Sequence, residues 1–182
     1  MRLSLGTAGL ALAMLGYVSQ APAQVPEYKL KAELVERFTR FIEWPAPKEA
    51  PAKPQPFTIC LFGPSPFRAA LEEMSASRKI KERPVVVTVL SAPAEAEGCQ
   101  VLFVPSAQKD GLEKILVHTL ARPILTVGDT EGFAERGVLV NFYTFENAVR
   151  FEINDSAARK SGLEISSRLL KLARIVGLEE RP

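Results

Sequence analysis

The chain has 182 residues, 47% of them hydrophobic and 24% charged, and Lys+Arg 23 against Asp+Glu 21 leaves a formal charge of +2. That balance excludes a long disordered or collagen-like polymer, and the even spread of charge excludes a nucleic-acid binder built on a basic stripe. One His and two Cys cannot furnish a His-rich zinc site or a four-cysteine finger, and no P-loop, dinucleotide-binding or HExxH string occurs.

Arg2 is followed by an uncharged apolar run from Leu3 to Val18 and then by Ser19-Gln20-Ala21-Pro22-Ala23. A positive start, an apolar stretch and an Ala-x-Ala site predict a secretory signal peptide over 1–23. The run is short for a bilayer span of about 20 residues, although an uncleaved anchor is the alternative. No Cys follows Ala23, so lipid attachment is not indicated. The remaining domain, 24–182, is expected to be exported to the periplasm and to be soluble after cleavage. In an oxidising compartment Cys60 and Cys99 are most simply a disulfide; two buried free thiols are the alternative.

In the mature chain, Leu30, Leu34, Val35, Phe38, Phe41 and Ile42 recur at helical spacing, predicting an amphipathic helix over 28–43 that stops at Trp44-Pro45. Residues 47–56 read as a Pro-rich surface loop. Phe57-Thr58-Ile59-Cys60-Leu61-Phe62 is a nearly unbroken apolar run closing at Gly63, as expected of a strand covered on both faces. A short helix follows over 66–75, then buried strands over 84–90 and 101–104, a helix over 107–120, and a strand over 124–127. Strands alternating with helices predict right-handed crossovers and a parallel sheet.

The rhythm changes near the end. Residues 138–145 and 148–154 read as a hairpin around Glu146-Asn147. In the register that sorts the faces best, Val140 lies opposite Ile153, Phe142 opposite Phe151 and Thr144 opposite Val149. The other face sets Asn141 against Glu152, Tyr143 against Arg150 and Phe145 against Ala148, and is mostly polar. Asn154 or Asp155 can cap a short helix stopping near Gly162, and Ser166 or Ser167 a last helix whose Leu169, Leu172, Ala173 and Val176 form a stripe up to Gly177. The predicted fold is a single compact α/β domain: a mainly parallel sheet flanked by helices, with an antiparallel C-terminal hairpin.

Several residues are candidates for function. Gly63 and Asp129 fall at the carboxyl ends of strands, where open α/β sheets place ligands, and would serve a small-ligand module. Asp129 and Glu131 also suit a plain turn. Pro64 and Pro66 lack backbone donors, which weakens an anion site after Gly63. His118 is the only possible imidazole base, yet late in a helix it also suits the helix dipole. Trp44 can be either an exposed anchor or a lid over the core. The outer hairpin face, with Leu139, Tyr143, Phe145 and Arg150, is more apolar than solvent requires, which makes Tyr143, Phe145 and Arg150 candidate partner contacts; coverage by the last helix is the alternative.

Taken together, the segments resemble the YfiR-like periplasmic family. The resemblance is carried by Arg40-Phe41-Ile42-Glu43-Trp44-Pro45, Phe57 through Gly63 with Pro66-Phe67, Arg83-Pro84-Val85, Gly98-Cys99-Gln100 through Val104, and Pro123 through Asp129. It continues in Gly132-Phe133-Ala134, Phe151-Glu152-Ile153-Asn154 and Gly162 through Ala173. It implies a compact α/β domain with Cys60 and Cys99 as the structural pair. It also implies a repressor with no enzymatic activity, cofactor or metal, which binds the periplasmic part of a membrane diguanylate cyclase, or another membrane signalling protein, and lowers cyclic-di-GMP and biofilm formation. A homodimer is a further possible assembly. A second, more C-terminal cysteine pair found in parts of that family has no counterpart in this chain.

Overall fold

The computed structural model describes residues 24–46 and 54–177. The expected signal peptide over 1–23 lies outside the described residues, as does most of the expected connector. Among the described residues no helix is long and apolar enough to cross a membrane.

Three apolar runs form the middle of the sheet. β2 (Phe57–Phe62), β5 (Val101–Val104) and β6 (Leu125–Gly128) lie side by side in the order β6-β5-β2, all parallel and almost wholly buried. Burial on both faces requires side chains with no polar atoms on either side, which is why these strands do not alternate. β4 (Arg83–Leu90) continues the parallel array beyond β2, and the two-residue β3 (Lys79–Ile80) pairs antiparallel with it to end that side. The β3–β4 turn is Lys81-Glu82, both at positive φ (52° and 59°). On the other side β7 (Val140–Phe145) runs parallel to β6, and β8 (Ala148–Asn154) returns antiparallel in the expected register, Val140 opposite Ile153 and Asn141 opposite Glu152. Glu146 and Asn147 have φ of 48° and 62°, the primed-turn geometry that matches strand twist.

Helices cover the two faces as separate layers. α1 (Gln24–Thr39) and α2 (Phe67–Ser77) bury Val35, Phe38, Phe67 and Leu71 against Ile59, Leu61, Phe103, Val127 and Phe142. α3 (Leu112–Thr119) buries Leu112 and Ile115 with Phe133 and Val138 against Cys60, Leu102 and Val104. Cys60 and Cys99 are disulfide-bonded within this second layer, Cα atoms 5.9 Å apart. α4 (Asp155–Ser161) begins with Asn154, whose side chain accepts from Ala157 N, and ends at Gly162 in the left-handed conformation, so Asn154 is the cap.

Four elements differ from the sequence-based expectation. The first helix ends at Thr39 and not at 43: Ile42–Glu43 (β1) pairs antiparallel with Glu164–Ile165 (β9). Pro45 disfavours helix in the residue before it, and Phe41 O accepts Ser166 N at 2.8 Å, so extended backbone finds a partner. β4 is not buried on both faces, because Val86 is 43% exposed while Val85, Val87 and Val89 face the first core; the second layer stops short of this strand. The helix expected over 107–120 begins only at Leu112, after a 3₁₀ turn at Ser106–Gln108. Finally, the last helix is a single turn, α5 (Ser167–Leu170), after which Arg174–Val176 becomes β10, parallel to β8. The β-branched pair Ile175-Val176 suits a strand, and the open edge of β8 supplies its hydrogen bonds.

Candidate functional site

The carboxyl edge of the parallel strands is shaped by the connectivity. The chain passes from β2 to β4 on one side and then to β5 on the other, so the loops after β2 and β5 diverge at a topological switch point. Gly63 lies there at φ +79°, and a Cβ added to it would come 3.3 Å from the Gln108 side-chain nitrogen of the loop after β5. Asp129 follows β6, one strand further along, and is not brought to Gly63.

Asp129 is drawn to α1 instead. Lys31 Nζ lies 2.9 Å from Asp129 Oδ2 and 2.7 Å from Glu27 Oε1, with the Lys31 side chain only 7% and that of Asp129 10% exposed. The ammonium also sits 4.9 Å from the Tyr28 ring centre. Burial by itself would lower the pKa of Lys31, but its hydrogen bonds and the charges of Glu27 and Asp129 outweigh burial and hold it above the ordinary lysine value. Burial, with the charge and hydrogen bond of Asp129, raises the Tyr28 hydroxyl. Each group is answered by another within the cluster, so its work is to fasten α1 to the end of β6. Sequence reasoning did not single out Lys31, because its partner Asp129 lies ninety-eight positions away.

The hairpin carries the candidate partner contacts. Tyr143 and Arg150 face each other across the strands and Phe145 faces Ala148. Tyr143 is half-buried with the Arg174 guanidinium 4.6 Å from its ring centre; Phe145 is 56% exposed and Arg150 is exposed. Among the described residues no final helix covers this tip. Toward the base, however, the face expected to be solvated is closed. Leu139, Asn141 and Glu152 are at most 1% exposed. Asn141 Nδ2 donates to Glu152 Oε1 at 3.0 Å and to Thr130 O at 3.0 Å, and Arg174 Nε donates to Glu152 Oε2 at 2.9 Å. This polar network joins β7, β8, β10 and the loop after β6 under the protruding tip.

A groove of about 530 Å³ opens at the opposite, amino edge of the sheet, away from Gly63 and Asp129. Leu116, Val117, Leu120, Leu139 and Ala157 make an apolar floor between α3 and α4, with Arg136 and Lys160 among the rim residues. Val117 and Leu120 are 71% and 62% exposed. Of the remaining candidates, Glu131 is exposed on a turn. His118 is exposed on α3 and donates from Nδ1 to Lys114 O at 2.9 Å, and no described contact joins it to Asp129. Trp44 stands edge-on to Phe57, ring centres 5.3 Å apart, so it packs on the core. Among the described residues no cluster of His, Cys, Asp and Glu could hold a metal ion.

A family model described as YfiR/HmsC-like matches residues 28–174. No curated protein matches the chain. Among the solved structures similar in fold is a conserved domain protein from Vibrio cholerae O1 biovar eltor, at 13% identity and a TM-score of 0.53, covering 81% of this chain and 59% of that one. Another is the ABC domain in complex with L-Trp from Streptococcus pneumoniae, at 12% identity and a TM-score of 0.53, covering 82% of this chain and 60% of that one. The chain thus spans about three fifths of the length of either structure, and at these identities the likeness shows the fold alone.

Proposed function

Because the chain belongs to the YfiR/HmsC-like family, we propose that it is an exported regulator that binds the periplasmic part of a membrane diguanylate cyclase and holds it inactive. Family membership supports a periplasmic regulator in general terms; the cyclase as partner, the lowered cyclic-di-GMP and the signal peptide over 1–23 are part of the proposal. The observation that carries the contact surface is the hairpin tip. An exposed Phe145 beside an exposed Arg150 stands on a fixed two-residue turn, and exposed aromatic and Arg side chains are the residue types that anchor interfaces. The buried network beneath the tip holds Tyr143 in place, so little ordering cost falls on binding. To repress, the protein must bind the inactive cyclase more tightly than the active one. A 100-fold preference is about 2.7 kcal/mol, within reach of a few anchor residues.

The test is an affinity capture of the exported protein from native membranes, with cyclic-di-GMP measured in the deletion strain. Capture of a cyclase that is lost in Phe145→Ala and Arg150→Ala, with raised cyclic-di-GMP in the deletion strain, is the expected result. Unchanged cyclic-di-GMP and no membrane partner would remove the repressor. A homodimer would show in light scattering as twice the chain mass.

A second reading, a small-ligand module, is favoured by the switch point at Gly63, with Asp129 two strands away at the end of β6. Its test is a thermal-shift screen against metabolites: a saturable rise abolished by Asp129→Asn supports it, and a flat screen removes it.

A further inference from the structure

The eight-stranded sheet ends in β10 on one side and β3 on the other. β10 is three residues long and carries Arg174, and short, charged edges resist further pairing. The other side is built differently. β3 lies against only Arg83 and Pro84 of β4, whereas β2 pairs with the inner side of β4 from Val85 to Leu90. Among the described residues no strand pairs with the outer side of β4 beyond Pro84. That free stretch, Val85-Val86-Val87-Thr88-Val89-Leu90, has no charge, glycine or proline, and so lacks the usual devices that keep a strand edge unpaired. Val86 is 43% exposed and Thr88 is exposed, while Val85, Val87 and Val89 are only half-buried although they face the first core.

We propose that this edge pairs with the same edge of a second copy of the chain, antiparallel about a two-fold axis at Thr88. The charge along the edge argues for a copy as the occupant. Lys79, Lys81 and Arg83 stand at its amino end with one acid, Glu82, while the 3₁₀ turn at Pro93–Gly98 sets exposed Glu95 and Glu97 beyond its carboxyl end. Lys81 reaches Glu43 at 2.7 Å, but Lys79 has no ion pair among the described residues, and Glu97 lies 3.8 Å from Arg122. Antiparallel pairing brings the basic end of each copy to the acidic end of the other, the self-complementarity that an isologous contact needs. β3 sets the register, because it occupies the flank of Arg83 and Pro84 and leaves Val85 as the first residue free to pair. Residues directly opposite each other in antiparallel strands share a face, so a two-fold axis perpendicular to the sheet passes through a residue paired with itself. Centring it on Thr88 uses the whole free stretch: Val87 meets Val89, Val86 meets Leu90, and Val85 meets Ser91. Thr–Thr and β-branched pairs are favourable cross-strand neighbours, and the half-buried valine row continues from one copy into the next. The hairpin tip is at the other side of the sheet, so Phe145 and Arg150 stay open in the dimer.

Light scattering of the exported protein over a range of concentrations tests the proposal, with far-UV circular dichroism as the folding check. Wild type is expected to reach twice the chain mass as concentration rises. Thr88→Lys, which opposes two like charges at the axis on an exposed position, is expected to stay at one chain mass with an unchanged spectrum. Thr88→Cys reads the geometry independently of that variant. Directly opposed Cα atoms in an antiparallel pair lie about 4.5–5.5 Å apart, a span that a disulfide bridges. Oxidation should therefore give a covalent dimer, whereas Glu113→Cys, at an exposed position on α3, should cross-link far more slowly. A wild type that stays at one chain mass up to about 100 µM overturns the proposal and leaves the edge to an extended segment of another protein. A dimer kept by Thr88→Lys or lost in Phe145→Ala, or Thr88→Cys cross-linking no faster than Glu113→Cys, puts the contact elsewhere and overturns it equally.

Discussion

Replacing Lys31 by Met tests whether the charge cluster at the end of β6 is a structural fastening. The lysine side chain is 7% exposed and its ammonium lies 2.9 Å from Asp129, whose side chain is 10% exposed. Methionine fills nearly the same volume and has good helix propensity, so neither packing nor α1 itself should suffer. What changes is that Asp129 is left against the Tyr28 hydroxyl with no positive partner. Removing one member of a fully buried pair costs about 3–5 kcal/mol. Because Glu27, the second partner of Lys31, is 38% exposed and regains water when released, a smaller loss is expected, about 2–3 kcal/mol. Adding Asp129→Asn to Lys31→Met removes the stranded charge and should restore about half of that loss, about 1–1.5 kcal/mol. The pH response has a defined sign. Lys31 and Tyr28 both have pKa values raised in the folded chain, so each contributes stability that is fully present below its unfolded value near 10 and is lost as pH rises through the folded value. Wild type should therefore lose stability above about pH 10 more steeply than Lys31→Met. Urea unfolding of the oxidised protein, followed by far-UV circular dichroism at pH 7 and above pH 10, measures both effects. A Lys31→Met variant within about 0.5 kcal/mol of wild type would refute the reasoning.

Other substitutions probe the scaffold. Replacing both Cys60 and Cys99 by Ala opens a loop with a sequence separation of 39, and the chain-entropy relation gives a loss of about 4 kcal/mol, measurable by denaturant unfolding with and without reductant. Gly128→Ala places a Cβ 2.8 Å from the Phe133 ring and 2.9 Å from Asn141 Oδ1; displacing either buried side chain should cost about 1–3 kcal/mol in the same assay. Asn147→Gly, at a position with φ +62°, should raise stability by a few tenths of a kcal/mol, up to about 1, and a drop would contradict the primed turn.

The central sheet was legible because its signals are local. The unbroken runs at 57–62 and 101–104 have no polar side to turn outward, and the hairpin register followed from two-residue periodicity around a turn whose length is set by its flanking strands. What escaped is what depends on distant partners. Asn141 and Glu152 were correctly placed opposite each other, but their burial comes from the loop after β6 and from Arg174, twenty-two positions beyond Glu152. The Leu169–Val176 stripe has helical spacing, yet the bare edge of β8 wins residues 174–176 for the sheet. Lys31 reads as a solvent-facing lysine until Asp129, ninety-eight positions away, is folded against it. The amino-edge groove has no sequence signature at all, since it is the space between α3 and α4.

The disulfide has one further consequence, for how the chain behaves when cut. Cys60 and Cys99 make the intervening stretch, with α2, β3 and β4, into a covalent ring. A protease that cleaves at the exposed Lys81-Glu82 turn opens that ring without dividing the molecule, and both new ends remain held in a sheet whose strands cross the cut. The nicked species keeps its mass apart from one added water and separates into two pieces only after reduction and unfolding. An excursion tied off in this way can be broken at its tip while the bond between Cys60 and Cys99 keeps β2 joined to the chain entering β5.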